Sequence, residues 1–435
     1  MVDSSVPGLH SRRGALGLGA KSGLGLALAG SMLATDVGQA ATVNEGLPRS
    51  AGPLRSAGKI AFGPDNILLV GDIKGAAIHA FVLRAKDFDR QTGVELGNFQ
   101  NFEGVDLVQG LDVKLASLMG TTYDNIVVND MVVHEPTKQI FLSVERGRGP
   151  VVIPTIVKVN HGRLEVLQLD ALSHSKASIP NEPADTARLE FEPQSVYAVT
   201  DVKYYNGEVF VTGVSNQRFA STLYRIPFPF TGSLATSTVE IWHPVHGEWE
   251  TRAPIIRQII REVRVEPHVF AVYGCTPLVR FPLAALKDGA HVRGETIGQL
   301  GYGSNPLDMF TFTNPLDQKE NLLVTIDTRD GAQIGVAELD TAPAEPTGGP
   351  INFDYGGLGR TQHHLPIKSE HMAILNPRWA VVVWRHPTTG YRLDLGTLMV
   401  PYFFDRRLGM AEMNWPNGPD PFHYRAHRGQ IDTIS

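Results

Sequence analysis

The stretch Thr200–Phe230, reading TDVKYYNGEVFVTGVSNQRFASTLYRIPFPF, constrains the fold more than any other part of the chain, because looser copies of it recur along the sequence. It reads as three short strands, Val202–Tyr205, Glu208–Gly213 and Ser221–Pro227, joined by a turn at Asn206-Gly207 and a polar loop, Ser215–Arg218. Asn-Gly between two β-rich runs is a strong hairpin signal, since both turn residues tolerate positive φ.

Five further copies line up with it. Asp130–His134 is followed by Ile140–Val144 and Thr155–Val159, and Glu262–Val265 by Phe270–Tyr273 and Leu278–Pro282. Asp308–Thr311 leads to Leu322–Ile326 and Ile334–Leu339, and Glu370–Ile374 to Ala380–Trp384 and Tyr391–Leu395. The first copy, Lys59–Phe62 with Ile67–Val70 and Ala77–Leu83, lacks the leading acid. Intervals between leading acids run from 46 residues (Glu262 to Asp308) to 71 (Asp130 to Asp201), so loops of different length decorate a common core. Three antiparallel strands plus a more variable fourth make one propeller blade. The sequence therefore predicts an all-β fold, a β-propeller of six to seven blades over residues 58–400, with any seventh blade in 86–125 or 160–195. A propeller must also close, or an edge strand is exposed at each end. Leu393–Val400 and the residues before Lys59 are the candidate clasps. Val105–Met119 has apolar spacing near 3.6 and predicts a short helical insertion, and residues 401–435 read as an irregular C-terminal extension holding Trp415, Phe422 and Tyr424.

At the N-terminus, Ser11-Arg12-Arg13-Gly14-Ala15-Leu16 precedes a weakly apolar, Gly- and Ala-rich run, Gly17–Leu33, and then Gly38-Gln39-Ala40 with small residues suited to cleavage. This segment resembles a twin-arginine signal peptide over residues 1–40, departing from it at Ala15, where a bulky apolar residue is preferred. Residues 41–57 read as a flexible lead-in. The strand pattern of 58–400 is similar to that of exported bacterial β-propellers. The resemblance implies a periplasmic or secreted protein exported already folded, often around a cofactor. A net charge of −6 and no Lys/Arg run argue against nucleic acid as a partner. With no second long apolar segment, the sequence predicts no membrane span after signal cleavage. The single cysteine, Cys275, excludes an intrachain disulfide and reads first as a small buried hydrophobe.

Propeller geometry predicts where a site lies. The first residue of each innermost strand and the turn between the second and third strands reach the same rim of the channel. The leading acids Asp130, Asp201, Glu262, Asp308 and Glu370 are thus expected to converge there, with His371 and the nearby His363 and His364 as candidate metal ligands. The second-turn residues Asp72, Glu145, Arg146, Asn216, Arg218, Asp327, Arg329 and His386 are candidate ligand-binding groups at the same mouth. Five carboxylates in a closed ring repel one another and need compensation, by a divalent metal (calcium, copper or zinc), by the arginines or by water. Carboxylates alone suit calcium, whereas imidazoles bring in zinc or copper. An alternative is that each acid bonds backbone donors of the repeat.

No nucleophile elbow, P-loop, dinucleotide fingerprint, haem-attachment motif or zinc-protease motif occurs. Two functional classes stay open: a metal-dependent hydrolase of lactones or esters, or an oxidoreductase, acting on a small molecule; and a non-catalytic propeller that holds a periplasmic protein or a glycan. The fold hosts both.

Overall fold

The β-branched and aromatic runs found in the sequence form six antiparallel blades. The computed structural model describes residues 54–89, 96–98, 103–148, 152–189, 192–263, 266–315, 317–326, 331–360, 363–365, 369–386 and 392–400. Blade 1 is Ile60–Phe62, Ile67–Asp72 and Ala77–Val82, and blade 2 is Ile126–His134, Gln139–Arg146, Ile153–Asn160 and Arg163–Val166. Blade 3 holds Asp201–Tyr205, Glu208–Val214, Ser221–Pro227 and Ala235–His243. Blade 4 holds Ile255–Val263, Glu266–Tyr273, Pro277–Pro282 and Glu295–Gln299. Blade 5 is Pro306–Thr313, Glu320–Ile326, Gly331–Gly335 and His363–Leu365, and blade 6 is Ser369–Asn376, Trp379–His386 and Arg392–Met399. The Asn206-Gly207 turn has positive φ at both residues (46° and 85°), as its sequence requires.

The blades are not arranged in chain order. The first strands line the channel, and the innermost strand of blade 1 lies between those of blades 2 and 3, while blade 2 adjoins blade 6. Around the ring the order is 2, 1, 3, 4, 5, 6. Two exchanged strands explain it. After its third strand, blade 1 sends the chain across to blade 6, where Asp106–Val108 pairs with Arg392–Met399 as the outermost strand. Blade 2 follows at once, beside blade 6. His174–Ser178 then returns to pair with Ala77–Val82 and complete blade 1.

Residues 393–399 thus take part in closure, but as the third strand of the last blade, capped by a segment from the 86–125 insertion. The helix expected over 105–119 is confined to Leu111–Met119, since Asp106–Val108 is taken up by blade 6 and Gly110 (φ 60°) turns the chain between them. Gly110 N donates to Asp394 Oδ1 at 2.6 Å, locking the insertion to the closing strand.

Six apolar clusters, one per junction between neighbouring blades, hold the ring together. Leu68, Phe81, Phe141 and Ile156 join blades 1 and 2, and Ile78, Val202, Val211 and Tyr224 join 1 and 3. Blades 2 and 6 meet through Val128, Val383, Leu395, Val108 and Leu111. The junctions 3–4, 4–5 and 5–6 are built around Phe281, Phe270 and Met372. Among the described residues there are two α-helices, Leu111–Met119 and Val336–Thr341, and no helix is long and apolar enough to cross a membrane.

Val108, fully buried at the 2–6 junction, tests the exchanged closure. Val108→Asp puts a carboxylate among Leu111, Leu115 and Leu395 and is expected to cost about 3 kcal/mol or more in urea unfolding. A loss below about 1 kcal/mol would show that the ring closes without this strand.

Candidate functional site

Each innermost strand carries one equivalent position near its start, or at its middle in blade 2, where the strand begins early at Ile126. Opposite the equivalent residue of the second strand stand Asp130 (Ser143), Asp201 (Thr212), Arg257 (Val272), Asp308 (Thr325) and His371 (Val383). Lys59 holds the place in blade 1, its carbonyl accepting from Gly71 N at 2.8 Å. Read around the ring the six are Asp130, Lys59, Asp201, Arg257, Asp308 and His371. Acid and base alternate.

The same contact recurs at every second junction. Asp130 Oδ2 accepts from Ile60 N (2.8 Å), Asp201 Oδ2 from Gln258 N (2.8 Å) and Asp308 Oδ2 from Met372 N (3.1 Å). Each donor directly follows the basic residue of the neighbouring blade. Arg257, 1% exposed, reaches the other oxygens: Asp130 Oδ1 at 2.6 Å, Asp201 Oδ1 at 3.2 Å and Asp308 Oδ1 at 3.5 Å. Burial would raise the Asp130 carboxyl, but the Arg257 and Lys59 charges hold it far below the usual carboxylate range. Burial, together with Arg257, lowers Lys59 to about 8 against the pull of the three aspartates. His371 donates from Nε2 to Val128 O at 3.0 Å and is lowered to about 4, by burial first and then by Lys59. Its Nδ1 lies 3.8 Å from Asp130 Oδ1.

Of the predicted metal ligands, the structure therefore gathers Asp130, Asp201, Asp308 and His371. Arg257 supplies the compensation there. Glu262 is not in the ring: it lies at the far end of its strand opposite Pro267, because blade 4 begins at Ile255 and Arg257 takes the acid's place. Glu370 falls in a β-bulge beside His371 and pairs outward with Arg385 Nε at 2.6 Å. His363 and His364 belong to the outermost strand of blade 5, paired with residues 331–333, at the edge farthest from the channel.

The second-turn residues differ in their surroundings. Asp72 is buried and accepts from Arg55 N, Ser56 N and Gly75 N. Glu145 accepts from Ala57 N at 3.0 Å, and Asn216 and Arg218 are exposed, Arg218 lying over the Phe219 ring. Arg146 is half-buried at the end of its strand. Asp327 and Arg329, and the side chain of His386, lie outside the described residues.

A candidate site lies instead where blades 3, 4 and 5 come together. An open pocket of about 670 Å³ is lined by His243, His246, Glu250, Cys275, Trp249 and Ser304, among others. His243 ends the fourth strand of blade 3. A hairpin turn, with Gly247 at φ 67°, returns the chain through Glu248–Glu250. Glu250 Oε1 accepts from His243 Nδ1 at 2.7 Å and also contacts His246 Nδ1. His243 is 2% exposed and its Nε2 has no hydrogen-bond partner.

Cys275 sits in the second turn of blade 4 with φ 74°, a left-handed conformation uncommon for a residue with a Cβ. Its N–H donates to Ser304 O at 2.7 Å. Burial lowers the His243 pKa, but the Cys275 and Glu250 side chains outweigh it and raise the group to about 9. Burial would raise the Glu250 carboxyl, but His243 first and then His246 hold it below its ordinary range. The sequence pointed to Cys275 first as a small buried hydrophobe, whereas it is half-buried and lines the pocket, and it gave no place to His243, His246 or Glu250. The signal was there in HPVHGEWE, two histidines and a glutamate at short intervals around a turn glycine.

No protein-family model and no curated protein matches the chain. Solved structures resemble it in fold. The PQQ-bound aldose sugar dehydrogenase of Streptomyces coelicolor is 11% identical, with TM-score 0.33 over 81% of this chain and 96% of that one. Semaphorin 2a of Drosophila is 7% identical, with TM-score 0.33 over 82% and 75%. The arabinanase of Bacillus subtilis is 13% identical, with TM-score 0.27 over 63% and 93%. Likeness at this level says nothing of ligand or activity.

Two measurements probe the ring. Arg257→Met leaves three buried carboxylates without their shared cation and is expected to cost about 3–5 kcal/mol in urea unfolding, or to prevent folding; an unchanged midpoint would remove Arg257 from its central place. His371 titrates near 4 when folded against an ordinary 6.5, so below 6.5 the unfolded chain binds a proton that the folded one refuses, and stability falls as pH falls. Between pH 7 and 4.5 the wild type should lose about 2 kcal/mol more than His371→Asn. Parallel losses in the two proteins would contradict the assignment.

Proposed function

We propose that the protein is an exported propeller hydrolase that cleaves esters or lactones in the pocket over blades 3–5, with Cys275 as nucleophile, His243 as proton carrier and Glu250 orienting the imidazole. The observation that carries this reading is the buried His243, anchored through Nδ1 to Glu250 at 2.7 Å with an unpartnered Nε2, in a pocket that Cys275 also lines. Nucleophile, base and orienting acid are the three parts that such chemistry requires. The export half of the proposal rests on the resemblance of residues 1–40 to a twin-arginine signal.

The chemistry follows from the pairing. Transfer of the Cys275 proton to His243 Nε2 frees the sulfur to attack the acyl carbon. A C–S bond forms and the C–O bond breaks, while the imidazolium gives its proton to the departing alkoxide. Water, deprotonated by His243, then cleaves the thioester and returns the thiol. The metal-dependent route expected from the leading acids finds its cation place taken by Arg257, so the nucleophile is assigned to the chain itself.

A second reading, a non-catalytic binding propeller for a periplasmic protein or glycan, is favoured by one feature. Tyr302, Ile351 and Phe353 are 51%, 55% and 58% exposed, and they adjoin the pocket: Tyr302 precedes lining residue Gly303, and Asn352 N donates to Pro244 O beside His243.

Hydrolysis of p-nitrophenyl acetate and a panel of γ-lactones by the purified mature protein tests the first reading. Cys275→Ala is expected to lower kcat/KM by about a hundredfold or more, and mass spectrometry should find the acetyl group on Cys275. With the γ-lactones, whose departing alkoxide needs a proton, kcat/KM should fall above about 9, where His243 loses it. A Cys275→Ala protein as active as wild type would end the hydrolase reading and send the search to binding partners.

A further inference from the structure

The thiol chemistry leaves His246 without a task, yet its Nδ1 is directed at the same Glu250 oxygen as His243 Nδ1. One donor atom from each of His243, His246 and Glu250 lies within 4.8 Å of the others. We propose that these three side chains form a binding site for a divalent transition metal of the zinc class, and that the metal switches the hydrolase off.

Two imidazoles and a carboxylate are a donor set that zinc takes with a fourth position left to water. Bonds of about 2.0–2.2 Å from each donor require donors a little over 3 Å apart in a tetrahedral arrangement, so a small outward movement of Glu250 admits the ion. The pocket beside them gives the fourth position access to solvent. Imidazole selects zinc, copper or nickel over calcium and magnesium, which prefer all-oxygen sites. A second set, Asp130, Asp308 and His371, is also close enough, but Arg257 reaches both carboxylates of that set. No arginine or lysine shares the pocket set in this way: the one such residue among those lining the pocket is Arg252, whose guanidinium donates to Arg188 O and Gln194 Oε1.

Inhibition follows from the two faces of the His243 ring, and this part rests on the hydrolase reading. A metal on Nδ1 takes that nitrogen's lone pair and obliges the remaining ring proton to sit on Nε2. Nε2 then cannot accept the thiol proton, and Glu250 no longer orients the ring. His243 serves the thiol or the metal, one at a time.

Zinc chloride titrated into the chelator-treated mature protein by calorimetry, with ester hydrolysis followed in parallel, tests the proposal. Wild type is expected to bind one zinc per chain and to lose hydrolysis by about tenfold or more at saturation, with recovery on adding EDTA. His246→Ala should bind zinc more weakly by about tenfold or more, and the ratio of its rates with and without zinc should approach one at the concentration that inhibits wild type. Wild-type affinity in His246→Ala, or saturating zinc that leaves hydrolysis unchanged or faster, would overturn the proposal. Should zinc-free wild type and Cys275→Ala hydrolyse the ester equally, the hydrolase reading fails, and the calorimetry of His246→Ala still decides whether the metal site exists.

Discussion

Every blade meets its neighbours through the charges at the head of its innermost strand, and the Arg257 guanidinium ties that ring together. It reaches aspartates of blades 2, 3 and 5 from a position in blade 4. A buried arginine among buried carboxylates is weak evidence for net stability, since desolvation offsets much of the attraction. Its clearer effect is on specificity. Each aspartate uses one oxygen for the backbone of the next blade and turns the other toward a cation, so an acid-bearing blade exchanged with a base-bearing one would set acid beside acid. The alternation of Asp130, Lys59, Asp201, Arg257, Asp308 and His371 holds in the observed ring order and is lost in chain order. In chain order Lys59 would follow His371, and Asp130 would meet Asp201.

That electrostatic order and the strand exchange are two views of one constraint. Blade 1 can stand between blades 2 and 3 only if the chain leaves it, builds blade 2 and comes back. His174–Ser178 makes the return, and Asp106–Val108 closes blade 6 on the outward journey. Each exchange removes an edge strand that an open ring would expose. The two together fasten the N-terminal part of the propeller to blades made early and late in the sequence.

With the channel head occupied by protein charges, the open space lies beside it, in the pocket over blades 3–5. The pocket uses what the blades present there: the end of an outer strand, the turn after the second strand of blade 4, and the residues leading into blade 5. Ile256, in its lining, directly precedes Arg257. The rigid ring below thus sets the positions of Cys275, through its bond to Ser304, and of the blade 4 backbone beside it.

The sequence by itself determined the class of fold and most of the repeats, leaving six or seven blades open until the structure showed six. Strand periodicity, Asn-Gly turns and apolar second strands such as Ile67–Val70 are local properties, and local sterics and burial enforce them wherever the chain lies. It also located the channel acids Asp130, Asp201 and Asp308, because a residue recurring at one place in a repeat marks one place in space. Only the tertiary structure decided the rest. Glu262 and Arg257 are five residues apart on one strand, and either end of that strand satisfies the local pattern. Which one heads the channel depends on pairing with Val272 and on carboxylates more than 50 residues away. His243 and Cys275 sit on different blades, so no spacing along the chain announces their meeting. Blade order lies deepest of all, since it is settled by which apolar faces and which charges fit together once the strands exist.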